Sequence, residues 1–241
     1  MVSMKIGKRE SQRLEKRAQI IALARQHFFE HGFDNTSMSA IAAQLGGSKR
    51  TLWSHFSDKE ELFEAVVFDT ASGIRAQLDL PSGKGDPVEL LTRLCRSIID
   101  RVVSPIAVAM FRLIGPLADR RPDLSRIFYE RGPGETQRII GEYLRENFAD
   151  ILCVTDFKQA GIDLVTLSAA EMHFQRMWGI SANPTTKEKD AQARRAASLF
   201  LRAYARDPER LVPREGPAAA VGRQPRRSGK RRGPEAAFPI E

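Results

Sequence analysis

The segment from Phe33 to Leu62 constrains the fold most, because it holds two short amphipathic patterns separated by two adjacent glycines. In the first pattern Met38, Ile41, Ala42 and Leu45 follow the i, i+3, i+4, i+7 spacing of one helix face. Such a short helix is stable only when its apolar face packs against a partner. The segment therefore predicts two small helices that share a core with another helix.

Polar residues and glycines indicate where these helices begin and end. Thr36 or Ser37 supplies an N-cap oxygen for the first helix. Gly46-Gly47 ends it, because glycine adopts a positive φ without steric cost. Ser48 is expected to cap the second helix, which is predicted to run from Lys49 to about Phe56.

The second helix has one apolar and one polar face. Leu52 and Phe56, at i and i+4, are predicted core residues. The remaining face carries cations, hydroxyls, an indole N–H and an imidazole, which are the donors that base edges and phosphates require. Its residues are Lys49, Arg50, Thr51, Trp53, Ser54 and His55. Ser57-Asp58-Lys59-Glu60 then predicts a capping box for the next helix, with Ser57 as N-cap and Glu60 at N3.

The whole segment resembles the DNA-binding signature of the TetR family of bacterial transcriptional regulators, over roughly residues 13 to 66. The resemblance rests on the following residues: Gly32-Phe33, Thr36-Ser37-Met38, Ile41-Ala42, Leu45-Gly46-Gly47-Ser48, Thr51-Leu52-Trp53, His55-Phe56, Lys59-Glu60 and Leu62. Trp53 replaces the usual Tyr of the family, and Gly47 often corresponds to Val. A Trp still donates one hydrogen bond through its indole N–H, but it accepts none.

The resemblance implies roles for individual residues. It implies that Trp53, His55 and Lys59 contact phosphate or sugar, and that Lys49, Arg50 and Thr51 face the bases. The predicted DNA-binding set also includes Thr36, Ser37 and Ser39, at the start of the first short helix.

The positive charge of the chain is concentrated at its two ends. The formal net charge is +8, and the 25 basic and 25 acidic side chains of residues 18–212 cancel. Residues 1–17 hold six basic and two acidic side chains, and residues 213–241 hold seven and three. We expect residues 1–10 to be a disordered basic arm and residues 208–241 a disordered basic tail, each able to attract DNA non-specifically.

Helical periodicity continues along the rest of the chain, and no long alternating pattern predicts a strand. The expected fold is all-α with about nine helices. Residues 11–66 form a three-helix helix-turn-helix DNA-binding domain, and residues 67–207 form an effector-binding and dimerisation domain. The first helix runs from Ser11 to His31, with the stripe Leu14, Ala18, Ile21, Ala24 and Phe28, and ends at Gly32. The fourth helix continues from Ser57 to about Leu80, and further helices are predicted at Val88–Val102, Pro105–Asp119, Pro122–Glu130, Glu135–Asn147, Asp156–Trp178 and Thr186–Ala205.

Between the fourth and fifth helices, the segment from Pro81 to Pro87 predicts a break. In that segment Asp86 is the predicted N-cap of the fifth helix and Pro87 its first residue.

Two functions are predicted for the second domain. A mostly apolar cavity for a small-molecule effector is expected to be lined by Phe111, Ile114, Leu117, Phe128, Tyr129, Met172, His173, Met177 and Trp178, although such residues also serve as plain core. The last two long helices are expected to form a homodimer interface. One stripe there contains Leu164, Leu167, Ala170 and Phe174, and the other contains Ala193, Ala197, Phe200, Leu201 and Tyr204. Alternatively, both stripes are buried inside one subunit.

Together these features predict a cytoplasmic, homodimeric repressor that binds a palindromic double-stranded operator and is released by a small apolar effector. A non-specific architectural nucleic-acid binder, attracted through the basic ends, is the alternative. An enzyme is not expected, because the four histidines form no HExxH or repeated ExxH pattern and no phosphate-binding glycine loop is present.

No metal, cofactor or membrane span is predicted either. No signal peptide is read at the N-terminus. Cys95 and Cys153 are expected to be buried free thiols, because each has apolar neighbours.

Overall fold

A computed structural model of the chain describes residues 7–46, 49–81 and 85–212. Across these residues it contains eleven α-helices and one 3-10 turn at Gly115–Leu117, and no strand. The α-helices are α1 Lys8–Asn35, α2 Met38–Gln44, α3 Lys49–Trp53, α4 Lys59–Ala76, α5 Pro87–Val102, α6 Pro105–Ile114, α7 Pro122–Arg131, α8 Pro133–Phe148, α9 Phe157–Met177, α10 Thr186–Tyr204 and α11 Pro208–Leu211. The all-α prediction is confirmed. The α3 helix ends at Trp53, before the predicted end near Phe56, and α11 is an additional helix of four residues.

The helix-turn-helix forms where local signals predict it. Gly32 interrupts α1 with a φ of 77°, and Ser37 caps α2 by accepting a hydrogen bond from the backbone N–H of Ala40 at 3.1 Å. Gly46 adopts a φ of 64° after α2. Gly47 and the predicted cap Ser48 lie outside the described residues.

An aromatic cluster joins α1 to α4 within the core that the first four helices share. The Phe63 ring of α4 meets those of Phe28 and Phe33 edge to face, each at a centroid distance of 5.0 Å. Leu52 and Phe56 are buried as predicted. The predicted stripe of α1 is wrong in its first half, because Leu14 is 52% exposed and Ala18 is also exposed. Burial begins at Ile20, so the first three turns of α1 extend beyond the core.

The N-cap of α4 lies one residue later than predicted. Asp58, and not Ser57, is the N-cap, and its carboxylate accepts the backbone N–H of Glu61 at 2.7 Å. The predicted capping box does not form, because Glu61 accepts the backbone N–H of Ser57, at 2.7 Å, and not that of the N-cap residue. Two acceptors and two glutamates in succession give the same spacing in either register, and the sequence does not distinguish them.

The two hydrophobic cores do not follow the predicted boundary at residue 66. The first core combines α1 to α4 with Met110, Leu113 and Ile114 of α6, Leu117 of the 3-10 turn, and the start of α7. The second core is built from α5, α8, α9 and α10. The domain limits therefore stay a prediction, and the DNA-binding helices pack directly on part of the C-terminal half.

Several predicted ends are corrected. Lys8–Glu10 begin α1, and residues 208–211 form α11 with Asp207 as N-cap, so neither segment belongs to an irregular arm or tail. The rest of the predicted arm and tail, residues 1–6 and 213–241, lies outside the described residues, as do residues 82–84 of the predicted break. The α4 helix stops at Ala76, because the chain then turns so that the Asp79 N–H donates to Ser97 of α5 at 2.7 Å.

The end of α6, the start of α5 and the burial of the two cysteines were also predicted. The α6 helix stops at Ile114, because Pro116 supplies no N–H to continue it. The break before α5 forms as predicted, with Asp86 accepting the Glu89 N–H at 3.1 Å. Cys95 is buried, but Cys153 is exposed, contrary to expectation.

Candidate DNA-binding surface and effector cavity

The outer face of α3 presents the predicted recognition residues to solvent. Lys49 and Arg50 are exposed at its N-terminal end, and Trp53 is 42% exposed although it is a large aromatic residue. Thr51 is half-buried on the same helix. Because Leu52 holds the opposite face in the core, these side chains share one accessible surface.

Of the three predicted contacts near α2, one does not fit the structure. Thr36 is 3% exposed, and its hydroxyl donates to the carbonyls of Gly32 at 2.8 Å and His27 at 3.2 Å. It therefore anchors the start of α2 to α1 and is not accessible to DNA. Ser37 and Ser39 are exposed on the outside, with the Ser37 oxygen also serving as the N-cap.

Lys59 is already bonded within the protein. Its ammonium donates to the carbonyl of Phe33 at 2.9 Å and to that of Asp34 at 3.3 Å, and it lies 4.4 Å from the centre of the Phe33 ring. The side chain therefore joins the first turn of α4 to the end of α1. A phosphate contact by Lys59 would add to these bonds or replace them.

Basic residues on the first turns of α1 lie close to the recognition surface. Burial lowers the pKa of His55, and the charges of Arg13, Arg17 and Lys16 lower that pKa further. The Arg17 guanidinium also lies over the Phe56 ring, 4.8 Å from its centre. Sequence reasoning counted these cations only as part of a charged N-terminus. Arg13, Lys16 and Arg17 follow the i, i+3, i+4 spacing of one helix face, and this spacing is the sequence signal that they form a surface.

Ion pairs connect the DNA-binding helices to the segment before α7. Asp34 accepts from Arg120 at 2.8 Å, and Glu60 accepts from Arg121 at 2.9 Å. Hydrogen bonds from Arg121 to Asp123 and Glu60 raise the pKa of its guanidinium, which also lies 5.2 Å from the centre of the Phe33 ring. A movement of α7 would therefore change the contacts of Asp34 and Glu60, at the end of α1 and the start of α4.

A cavity of about 390 Å³ lies between α4 and the helices of the C-terminal half. Its wall is mostly apolar and aromatic. The Phe111 ring packs edge to face on Phe128 at 5.0 Å and on His173 at 4.4 Å between centroids. The α4 helix contributes Val67, Ala71 and Ile74, so the cavity touches the helix that begins beside the DNA-binding surface.

A second cleft, of about 630 Å³, lies between the end of α1 and α6. Two of its charged lining residues are bonded within the protein: Arg120 pairs with Asp34, and Arg112 donates to the carbonyls of Met177 and Arg176. The lining also includes Arg176, so this cleft is the more polar of the two. We therefore consider the apolar cavity the better effector site.

Comparison with known proteins agrees with this architecture. Residues 20–66 match the family model described as bacterial regulatory proteins, TetR family. Residues 89–206 match the C-terminal domain of AefR-like transcriptional repressors. This chain belongs to the TetR family. The proteins of that family are transcriptional regulators and not enzymes.

Individual TetR-family relatives agree over most of the chain. A TetR-family regulator from Mesorhizobium loti has a solved structure that is 28% identical, with a TM-score of 0.72 over 80% of this chain and 98% of its own. The flavonoid-responsive regulator FrrA is 30% identical, with a TM-score of 0.70 over the same shares. The regulator TcmR from Streptomyces glaucescens is 25% identical over 166 residues, which are 64% of this chain and 74% of TcmR.

Five of the nine predicted effector residues lie on the cavity wall: Phe111, Phe128, Tyr129, His173 and Met177. The other four do not. Ile114 and Leu117 are buried in the first core, and Met172 packs against the second. Trp178 is 70% exposed and stacks on Phe174. Val67, Ala71 and Ile74 of α4 also lie on the wall but were not predicted to do so. Helical periodicity predicts that they share the apolar face of α4, but it does not predict what that face packs against.

The predicted dimer stripes are largely buried within the subunit. Leu164 of α9, and Ala193, Ala197, Phe200 and Leu201 of α10, have no exposed surface. They pack in the second core with α5, so they are not free to contact another chain. Four large apolar side chains are exposed on or near the two helices: Phe174, which belongs to the predicted α9 stripe, and Trp178, Ile180 and Leu199, which belong to neither stripe.

Among the described residues, no helix is long and apolar enough to cross a bilayer. No group of three or more His, Cys, Asp or Glu side chains within the same ranges is arranged to hold a metal ion.

Proposed function

We propose that this TetR-family regulator is a homodimeric, sequence-specific repressor whose operator affinity falls when a small, mostly apolar effector binds. The proposal rests on the position of the α4 helix. It begins with Lys59, bonded to the end of α1, and 8 to 15 residues later its Val67, Ala71 and Ile74 line the cavity. One helix therefore contacts both the DNA-binding unit and the candidate effector site.

In this proposal α3 enters the major groove. Lys49, Arg50 and Thr51 read bases, and a guanine contact by Arg50 or Lys49 is the first to test. Trp53, His55 and Lys59 contact the backbone and set the register, with Ser37 and Ser39 beside them. The cationic side chains at the start of α1 add phosphate contacts that carry no sequence information.

A palindromic operator requires two copies of this surface. Two recognition helices in successive major grooves would lie one helical turn, ~34 Å, apart. A homodimer through α9 and α10 would supply them, and the exposed apolar side chains Phe174, Trp178, Ile180 and Leu199 support an interface at this side of the subunit. Residues 67–207 would then be the effector-binding and dimerisation domain.

Release follows from linkage. An effector that binds more tightly to a conformation whose two recognition helices are wrongly spaced for the operator must lower operator affinity. The factor equals the one by which operator binding lowers the affinity for the effector. A ligand in the cavity contacts α4 directly, which supports coupling through this helix. The name of the relative FrrA, which is flavonoid-responsive, makes planar aromatic compounds the first effectors to screen.

The test is selection of bound duplexes from a random pool, followed by affinity measurements on the selected operator. We expect a palindrome, and we expect Arg50→Ala to cost roughly 1–3 kcal/mol with loss of preference at one base pair. Arg145→Ala, which removes an exposed cation of α8 outside the proposed DNA surface and outside α9 and α10, is the matched control and should bind as the wild type does.

Equal affinity of the wild type for selected and random DNA would contradict the proposal. It would favour the architectural alternative, in which the basic ends dominate and salt abolishes binding.

Dimerisation is tested separately by sedimentation of the full chain. Leu199→Glu should shift the protein toward monomer and weaken operator binding. Leu14→Glu, at a leucine of α1 that is 52% exposed compared with 39% for Leu199, should not change the association state. A wild type that sediments as a monomer at the concentrations where it binds operator would contradict the dimer.

A further inference from the structure

His173 combines burial with an unused hydrogen-bonding atom on the cavity wall. The residue is 7% exposed and sits on α9. Its Nδ1 lies 3.0 Å from the carbonyl oxygen of Val102, and because a carbonyl only accepts, Nδ1 carries the hydrogen. Its Nε2 is buried and has no hydrogen-bond partner among residues 7–46, 49–81 and 85–212.

The tautomer decides what Nε2 is able to bind. With the hydrogen on Nδ1, a neutral imidazole presents a lone pair at Nε2 and is an acceptor there. Burial lowers the pKa of His173, with the charge of Arg176 adding to this effect, which keeps the ring neutral at pH 7. A buried acceptor without a partner is unfavourable, so a ligand that donates to it gains affinity.

The other polar groups of the wall offer less. The hydroxyls of Thr136 and Thr166 donate to the backbone carbonyls of Gly132 and Ile162, at 3.0 and 2.9 Å. Arg101 on the same wall donates to Gln77 and makes the cavity unfavourable for a cation. Its Nε is buried without a hydrogen-bond partner among the described residues, but this atom is a donor and not an acceptor. The remaining surface around His173 is aromatic, with Phe111 and Phe128 in edge-to-face contact.

We infer that the effector is an aromatic compound without a positive charge that carries a hydroxyl group, and that this hydroxyl donates a hydrogen bond to Nε2 of His173. The aromatic body packs on Phe111 and Phe128, where ring edges and faces are both available. His173 is thus the residue that selects a hydroxylated ligand over its methyl ether. This inference rests on the proposed effector site and specifies the ligand class that the site accepts.

The experiment uses the full chain and a panel of monohydroxyflavones, each paired with its methyl ether, with unsubstituted flavone as a smaller reference. Affinities are measured by calorimetry. His173→Phe keeps the ring and removes the acceptor. His173→Asn keeps a donor for the Val102 carbonyl and removes Nε2, so it serves if the first variant folds poorly. His31→Asn, an exposed histidine on α1, is the control.

We expect the wild type and the control to bind at least one hydroxyflavone roughly tenfold more tightly than both its ether and flavone. In the two His173 variants this preference should fall to within about twofold. A preference that persists in both variants, or a wild type that binds operator but no flavone, would overturn the inference. The proposed function fails by a different result: flavone binding that leaves operator affinity unchanged, or no operator preference at all.

Discussion

Lys59 donates a hydrogen bond to the carbonyl of Phe33 at 2.9 Å, and its ammonium lies over the Phe33 ring at 4.4 Å. The same ring packs on Phe63 of α4, so the contact joins the two ends of the helix-turn-helix core. A residue that the sequence resemblance assigns to the DNA backbone is therefore also part of the protein framework.

Replacement of this lysine should lower stability as well as DNA affinity. Lys59→Met keeps most of the stem and removes the charged donor, which we expect to cost about 1 kcal/mol, since the group is only half-buried. That corresponds to a fall of roughly 2–4 °C in melting temperature. Lys187→Met, an exposed lysine on α10, should leave the melting temperature unchanged. If Lys59 were only a phosphate contact, both variants would melt with the wild type.

The cap of α4 gives a prediction with a defined pH dependence. Backbone N–H donation from Glu61 and the hydroxyl of Ser57 lower the pKa of Asp58. The stability contributed by its carboxylate is therefore fully present above the ordinary Asp pKa, and it is lost as the pH falls through the lowered value of the folded state. Asp58→Ala should lower the melting temperature at pH 7, and the deficit should shrink toward about pH 3.

The control for this cap is Asp58→Asn, which keeps an accepting oxygen without a titrating group. It should be less destabilising than the alanine variant at pH 7, and the stability difference between these two variants should not depend on the ionisation of residue 58, because neither has a titrating group there. A deficit of Asp58→Ala that is as large at pH 3 as at pH 7 would contradict the assignment of Asp58 as the cap.

Local signals in the sequence were sufficient for much of the fold. Asp86-Pro87 marks the start of α5, and the positive φ of Gly32 and Gly46 occurs where the helices were predicted to break. These features depend on backbone geometry within a few residues, so the sequence specifies them directly.

Features that depend on packing partners could not be predicted in the same way. The α10 stripe has the spacing of an interface, but α5 occupies it within the subunit. Leu14 has the spacing of core, but no helix reaches it. Only five of the nine predicted effector residues lie on the cavity wall. The other four were not distinguishable from these in the sequence, because an aromatic, aliphatic or Met side chain at helical spacing fits a core and a cavity wall equally well.

The crossing of α8 and α9 depends on two glycines. A Cβ added to Gly161 would lie 2.5 Å from the carbonyl oxygen of Gln137 and 2.7 Å from the backbone nitrogen of Gly141. Gly161→Ala must separate the helices, and overpacking of this kind should cost about 3 kcal/mol in urea denaturation at fixed protein concentration. Gly73→Ala is the matched control within α4, since nothing lies within 4 Å of its added Cβ.

The alanine at position 73 should raise the free energy of unfolding by up to about 1 kcal/mol, because alanine is the better helix former. Opposite signs for the two Gly→Ala changes are therefore expected. Equal effects would show that α8 and α9 do not cross as closely as the structure indicates.

The start of α1 should contact DNA without reading its sequence. Arg13 has the largest charge effect on His55 of the three nearby cations, after burial itself, so it lies beside the recognition surface. Arg13→Gln should weaken binding to selected and random duplexes by the same factor and reduce the salt slope by about 1. It should also raise the pKa of His55, which would still stay below its ordinary value because burial remains.

Both effects of Arg13→Gln can be measured on one sample, by fluorescence anisotropy with labelled duplexes and by NMR titration of the His55 ring. Arg9→Gln, one turn earlier on the same helix, removes the same charge from a residue with no assigned effect on His55. It should leave the His55 titration unchanged. If Arg13→Gln altered base preference, or left the pKa of His55 where it was, the first turns of α1 would not form the edge of the DNA surface. The charge that approaches DNA would then have to come from α3 and the chain termini alone.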